Sequence, residues 1–516
     1  MLLGAAAFVL LQRLTALDPR EPEEAPSNIP LIGHLIGLSR RSYHYYADLS
    51  SKMKQPIFTV RLLGQRFYVV TSVELIQAVQ KASRALSWRD FEAEMTSKMG
   101  DFTPAFLQQL AINTNGEEGH FGLISDVHDA IIRSVRPGPG LDNMQRVAIR
   151  YIAKYLDEFA VTGNTQKLDL YTWTRQLIAM ASTRAAYGPA NPYNDQEVLD
   201  AFWQYEKGFL SLLFSPLPAL TARQAIKARD TVAAAMKRYL DSGGWQAGSM
   251  LMQERFHAQS RNGLPTHDIA LSETFNGMAI IVNTIPAAFW MILMIYSTPG
   301  VLQEVRAEID ANTIASSTEE TTQRRIDVAV LRSECQLINS IYQEVLRWRS
   351  MGSSVRRVME DYMLNDRYLL KKGALVQMPS YVVHTDAALW GSDVNEFRPR
   401  RFMKGEKQMT ENGKRPSDSC YRPFGGGKTL CPGRHFAGNE VLAFVSVFVA
   451  RFDLSPVSGT WVLPTTEGTN PATATMQPDS DVPVLIRARK GFEHCEWIVQ
   501  LKEEEKESVG LDDATQ

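Results

Sequence analysis

Apolar residues recur at helical spacing over 141–160, 168–187, 221–240 and 272–297, and this periodicity predicts long helices through the middle of the chain. Two shorter runs, 57–63 and 66–71, are rich in β-branched and aromatic residues and flank Gly64 and Gln65. They predict a β-hairpin. No fixed-period repeat or low-complexity linker divides the chain, so the expected fold is one large, mainly α domain over 39–501 with a small β region. At Ser297-Thr298-Pro299-Gly300, Thr298 suits an N-cap and Pro299 the first helical position, which predicts that one helix ends and another begins there. Pro286 lies deep inside the preceding helix, where a missing amide and a ring clash cost about 3 kcal/mol or more. Either packing absorbs the kink, or a bulge opens space beside a large bound group.

The ends read differently. Residues 1–11 are apolar and uncharged, and Arg13 falls inside any extension to residue 17, so the run is short against the roughly 20 residues of a bilayer span. Three readings stay open: a membrane anchor over 1–17, a secretory signal, or a terminal helix packed on the domain. The Pro-rich segment 18–38 reads as a stiff spacer into the domain, and 502–516 as a charged tail.

Composition narrows the function. Lys+Arg total 55 against Asp+Glu 57, a formal net charge of −2, which supplies no general attraction for nucleic acid. The four cysteines, Cys335, Cys420, Cys431 and Cys495, form no CxxC pair, which speaks against a zinc site or a disulfide framework. Chemistry concentrates instead in YRPFGGGKTLCPGRHFAGNE, residues 421–440. Three glycines followed by Cys431 and an apolar helical run describe a tight loop that delivers one cysteine to a helix N-terminus, where amides and the helix dipole favour a thiolate. Such a thiolate can ligate a soft or redox metal. The Gly427-Lys428-Thr429 sequence mimics the end of a phosphate-binding loop, but Arg422 stands where that motif needs another glycine.

This segment resembles the haem-binding loop of the cytochrome P-450 monooxygenases, through Phe424, Gly427, Cys431, Gly433 and Ala437. Glu344 and Arg347 match the family's Glu-x-x-Arg, and 397–402, FRPRRF, resembles its Phe-x-Pro-Glu-Arg-Phe with Arg400 in place of the glutamate. The resemblance implies one haem b with Cys431 as axial iron ligand, and Phe424, Gly427, Gly433 and Arg434 around the cofactor. It also implies Arg356 on a haem propionate, and a buried network of Glu344, Arg347 and Arg401 behind the cysteine loop. Within the superfamily, 283–290, NTIPAAFW, looks like the branch of cholesterol 7-alpha-hydroxylase and prostacyclin synthase, which makes Pro286 a shaper of the distal haem face.

Two departures matter. Where most members carry an acid and a threonine to deliver protons to dioxygen, this chain has Val282 and Asn283; a carboxamide is no general acid near neutral pH, so Asn283 and Thr284 are the catalytic candidates. Thr429 stands where an arginine or histidine usually faces a propionate, and no Trp-x-x-x-Arg occurs between residues 100 and 150, leaving Arg133 or Arg136 as substitutes. The resemblance therefore implies a monooxygenase oxidising a bulky apolar molecule, a sterol, terpenoid or polyketide, with dioxygen and NADPH electrons delivered by NADPH-cytochrome P-450 reductase. A haem-thiolate isomerase or dehydratase acting on a hydroperoxide or epoxide is the alternative. A non-catalytic haem carrier or sensor is a remote one. Segments 107–123 and 201–217 would line the substrate pocket, and Lys428, Arg434, Arg400 and Lys404 would face the reductase. The resemblance also implies membrane attachment, on the endoplasmic reticulum facing the cytosol.

Overall fold

The computed structural model describes residues 17–501 apart from 28, 30, 31, 63, 117, 118, 120, 121, 162, 163, 216, 318–321, 406–417, 493 and 494. The apolar run at 1–16 and the tail at 502–516 lie outside the described residues.

A helix that is apolar on every side belongs in a core, and two here are. Every residue from Thr284 to Tyr296 is buried in the helix Thr284–Ser297, and every residue from Glu440 to Arg451 is buried in Arg434–Arg451. These two helices pack on one another, with Gln336–Arg349, Leu170–Tyr187 and Pro139–Val161 around them. A second layer joins Gln196–Phe214, Arg223–Asp241 and Thr266–Ile281. The span Thr266–Ser297, 32 residues, is long and apolar enough to cross a membrane, but its most apolar stretch is 78% buried within the protein. It is the spine of the core.

The β region is small. Its largest sheet runs in the order Ile57–Leu62, Gln65–Val70, Leu375–Pro379, Ser353–Val358, Leu86–Ser87, and the hairpin at its edge pairs Ile57 with Val70 and Leu62 with Gln65. The segment expected to be a spacer is instead docked. Thr59 N donates to Glu23 O and Ala25 N donates to Thr59 O, both at 2.8 Å, so the segment satisfies the hairpin's free edge before Gly33–Arg41 turns helical. Unpaired edge amides and carbonyls explain the docking.

Two helix boundaries differ from expectation. Residues 166–169 form a strand because Leu168 pairs with Val484, and the helix starts at Leu170. At the 297–300 junction the N-cap is Gly300, at φ 79°, with Thr298 closing the preceding helix. Only one residue separates those two caps, so the chain must reverse in a left-handed conformation, which glycine adopts without a Cβ penalty. Pro286 also acts locally. It offers no amide to Val282, so the regular hydrogen bonding stops at Ile281 and resumes at Thr284 while Val282 and Asn283 keep right-handed helical angles.

Glu440 is an acid inside this core. The Ser182 hydroxyl lies 2.8 and 2.9 Å from its two oxygens, and burial pushes its pKa up to about 8. The folded protein therefore keeps a proton that the unfolded chain releases near its ordinary value of 4.5. Between those two values the unfolded state binds fewer protons, so stability declines as pH rises. Glu440→Gln should remove that decline: in thermal unfolding between about pH 5 and about pH 8, wild-type Tm should fall relative to the variant, and parallel curves would refute the assignment.

Candidate functional site

The 421–434 loop is built by three glycines for two separate reasons. Gly425 and Gly427 take φ of 76° and 63°, left-handed angles that strain any other residue. Gly426 is extended, but a Cβ there would stand 2.6 Å from Gln80 Nε2 and 3.1 Å from Arg422 Nη1. The loop closes when Cys431 N donates to Phe424 O at 3.0 Å and Leu430 N to Gly427 O at 3.2 Å. Arg434 Nη1 donates to Cys431 O at 3.0 Å, which locks the loop to the first turn of Arg434–Arg451. The Cys431 sulfur accepts backbone amides from Gly433 and Arg434. Burial nonetheless pushes the thiol pKa up, outweighing those amides and the Arg434 charge, so the metal-free cysteine favours its proton.

Behind the loop lies a closed polar network. Arg347 Nε and Nη2 donate to Glu344 Oε2 and Oε1, each at 2.8 Å, with both side chains fully buried. Arg401 Nε reaches Glu344 Oε1 at 3.1 Å. Of the remaining donors, Arg347 Nη1 takes His384 O and Val394 O at 2.9 Å, and Arg401 Nη1 takes Trp390 O at 3.1 Å and the Asp393 carboxylate at 3.2 Å. His384 carries the connection onward, because its Nε2 accepts the amide of Arg422 at 2.8 Å. Arg400, one residue from the network, instead pairs at the surface with Glu304.

Arg356 comes from the strand Ser353–Val358 and is buried, 4% exposed. Its Nη2 donates to Thr429 Oγ1 at 2.6 Å and its Nη1 to Val355 O at 2.7 Å. No carboxylate among the described residues pairs with it. Burial, with Arg422 nearby, pushes its pKa down to about 10. The two substitutes suggested for this role lie elsewhere: Arg133 and Arg136 are exposed, and Arg133 pairs with Glu254.

On the other side, the side-chain oxygen of Asn283 is engaged by the backbone. Its Oδ1 accepts Ala474 N at 2.7 Å and Thr475 N at 3.2 Å, because those loop amides otherwise have no partner in a dry core. The same loop is held by Trp290 Nε1 donating to Met476 O at 2.8 Å and by Met351 N donating to Ala474 O at 2.8 Å. Its base is gripped by Glu206, whose Oε1 accepts Asn470 Nδ2 at 2.8 Å. Thr284 is buried beside Asn283 at the helix start.

These features occur along a chain that the cytochrome P450 family model matches over residues 22–482. The chain belongs to the cytochrome P450 family. A cytochrome P450 monooxygenase of Hypoxylon pulicicidum, nodJ, is 33% identical, over 95% of this chain and 94% of that protein. One from Gibberella zeae is 27% identical, covering 96% and 95%, and the human 7-alpha-hydroxycholest-4-en-3-one 12-alpha-hydroxylase is 23% identical, covering 93% and 97%. This P450 is accordingly an oxidoreductase enzyme, which displaces the carrier reading, and family membership implies a haem iron cofactor. The Cys431 side fits that group. Its cysteine is free of any disulfide, its sulfur is held by two amides, and Arg356 is a buried cation lacking an anion.

Sequence reasoning did not single out Gln80, Arg422, Glu206 or the 470–477 loop. The spacing around Phe424 could have flagged Arg422, an arginine two residues before the motif; the others carry no local signal. Replacing Arg347 with Met leaves Glu344 and three backbone carbonyls short of a partner, which should cost about 3–5 kcal/mol. Denaturant unfolding of the holoprotein measures this, and a loss below about 1 kcal/mol, the level of an exposed pair, would show the network to be dispensable.

Proposed function

We propose that this cytochrome P450 oxidises a bulky apolar small molecule of sterol, terpenoid or polyketide type, holding haem b through Cys431. The observation that carries this reading is the Cys431 sulfur, fixed by the Gly433 and Arg434 amides in front of a fully paired Glu344, Arg347 and Arg401 network. Bound haem supplies the oxidising chemistry, using dioxygen and two electrons from NADPH that arrive through NADPH-cytochrome P450 reductase. The chain's own residues set the conditions. Gly433 and Arg434 stabilise negative charge on the sulfur, the Phe424 carbonyl holds the Cys431 amide, and Arg356 receives a carboxylate. Thr284 offers a hydroxyl next to Asn283. The sterol-like substrate class is supported by the activity for which the human relative is named and by the buried Phe106, Leu110, Ala201, Phe202 and Tyr205 in or beside the two expected lining segments.

A second reading is favoured by one specific observation. Val282 is apolar and the Asn283 carbonyl is already engaged by two amides, so the usual proton pair has no counterpart here. That suits an isomerase or dehydratase acting on a hydroperoxide or epoxide, which needs neither dioxygen nor reductase. Purified enzyme should consume NADPH and dioxygen in step with product when reductase is added, and turnover of a hydroperoxide under anaerobic conditions without reductase would select the second reading. Cys431→Ala should abolish the thiolate-type red-shifted Soret band of the ferrous carbonmonoxy form; its persistence would remove the basis of both readings.

For the electron partner, exposed Lys428 and Lys404 offer charge to an acidic surface, whereas Arg400 is tied to Glu304 and Arg434 to Cys431 O. Attachment to the cytosolic face of the endoplasmic reticulum is supported by apolar side chains left in solvent. Phe214, Leu217 and Leu220 are 64%, 60% and 64% exposed, and Ile29, Ile32 and Leu35 are exposed as well. The full-length protein should float with phosphatidylcholine vesicles, and Phe214→Ser with Leu217→Ser and Leu220→Ser should weaken this flotation. Recovery entirely in the soluble fraction would refute attachment.

A further inference from the structure

A corner of the cysteine loop holds donors without acceptors. Arg422 is 3% exposed, and its Nε and Nη2 are buried with no hydrogen-bond partner among the described residues. Gln80 Nε2 is buried and unpartnered in the same way. The two meet across Gly426, whose missing Cβ leaves room for both: a methyl there would lie 2.6 Å from Gln80 Nε2 and 3.1 Å from Arg422 Nη1. Gly426 O in turn accepts Thr429 Oγ1 at 3.2 Å, and Thr429 Oγ1 accepts Arg356 Nη2 at 2.6 Å. One short chain of contacts therefore joins two buried guanidinium groups, a carboxamide NH2 and a hydroxyl. Neither arginine pairs with a carboxylate among the described residues.

A buried cation left unpaired is strongly destabilising, and each buried orphan donor adds the loss of its hydration. Two such cations side by side also repel, and each is held below its ordinary pKa by burial. The group this corner lacks is an anion with several acceptor oxygens. The backbone of Arg422 is fixed independently of its side chain: its amide donates to His384 Nε2 at 2.8 Å and its carbonyl accepts Ser380 Oγ at 3.0 Å. Its guanidinium is thus aimed by the network behind the loop. Thr429 leaves the neighbouring position without a positive charge, and the geometry places the arginine two residues before Phe424 where it can supply one.

We propose that Arg422, assisted by Gln80, is a second guanidinium contact to a propionate carboxylate of the bound haem, acting beside Arg356. The proposal rests on the haem-thiolate reading given above. Arg422 is a cofactor-binding residue in this account, and its contribution is to hold the carboxylate through charge-assisted hydrogen bonds.

The test measures haem transfer from the holoenzyme to excess apomyoglobin, for wild type, Arg422→Met, Arg422→Lys and Gln80→Leu. Each is loaded with haem or with its dimethyl ester, in which neither carboxylate carries a charge. With haem, Arg422→Met should lose the cofactor about tenfold faster, equivalent to one charge-assisted hydrogen bond. Arg422→Lys should recover part of that loss, and Gln80→Leu should show a smaller acceleration. With the dimethyl ester, wild type and the variants should release at the same rate. An Arg422→Met rate equal to wild type with haem overturns the proposal, and so does an acceleration of equal size with the ester, which would mark a packing role. The ferrous carbonmonoxy spectrum of wild type separates the two levels: without a thiolate-type band the haem-thiolate reading itself fails, whereas that band with unaltered Arg422→Met release removes Arg422 alone.

Discussion

The Arg347 guanidinium is the constraint on which the catalytic half of the molecule depends. It has no access to water, so every donor must be met from within the protein. Glu344 meets two of them, and the carbonyls of His384, Val394 and Glu396 meet the others. Those carbonyls belong to segments far apart in sequence, so satisfying one side chain gathers the end of Gln336–Arg349, the turn after Leu375–Pro379 and the stretch leading to Arg401. His384 extends the assembly, giving its carbonyl to Arg347 and its Nε2 to the amide of Arg422. Burial and the two cations hold its pKa down to about 3, so it stays neutral and Nε2 remains an acceptor. The position of Cys431 is set by a line of contacts that begins with an ion pair.

Closed and open polar groups divide the interior. The Glu344 cluster is closed: Glu344 and Asp393 supply two carboxylates against the guanidinium groups of Arg347 and Arg401, and the remaining contacts are to backbone carbonyls. Arg356 and Arg422 are open, with donors exceeding acceptors. A protein folding for its own sake would gain nothing from two buried, unbalanced cations. The haem that family membership implies would bring what these two lack, since a macrocycle with acidic side chains carries the needed charge. At the start of the central helix, Asn283 Oδ1 and Trp290 Nε1 are instead spent on the backbone of the 474–476 loop.

Much of this architecture was legible in the chain. Helices such as Pro139–Val161 announce themselves because one apolar face must be buried and the period of 3.6 leaves a record. The hairpin was readable from alternation and Gly64. What escaped were features set by distant partners. The docking of residues 23–25 depends on an open strand edge that only the folded hairpin presents. Leu168 became a strand residue because Val484 lay beside it, and Gly300 displaced Thr298 as the cap because the turn closed by Val301 N donating to Thr298 O at 3.3 Å needs a left-handed residue after Pro299. In the site, Cys431, Glu344, Arg347 and Arg401 were visible through motif spacing. Asn283 was visible as a residue but not in its role, since its partners are loop amides about two hundred positions later, and backbone amides carry no sequence signature.

That last feature bears on how the enzyme can diverge. The grip on the 474–475 turn is made by main-chain N–H groups, which every residue except proline possesses. The anchor itself therefore does not depend on which side chains stand at 474 and 475, and only packing, with Thr475 buried, restricts them. One carboxamide on the central helix thus decides where this loop sits, and Asn283 is the post to which the main chain is tied.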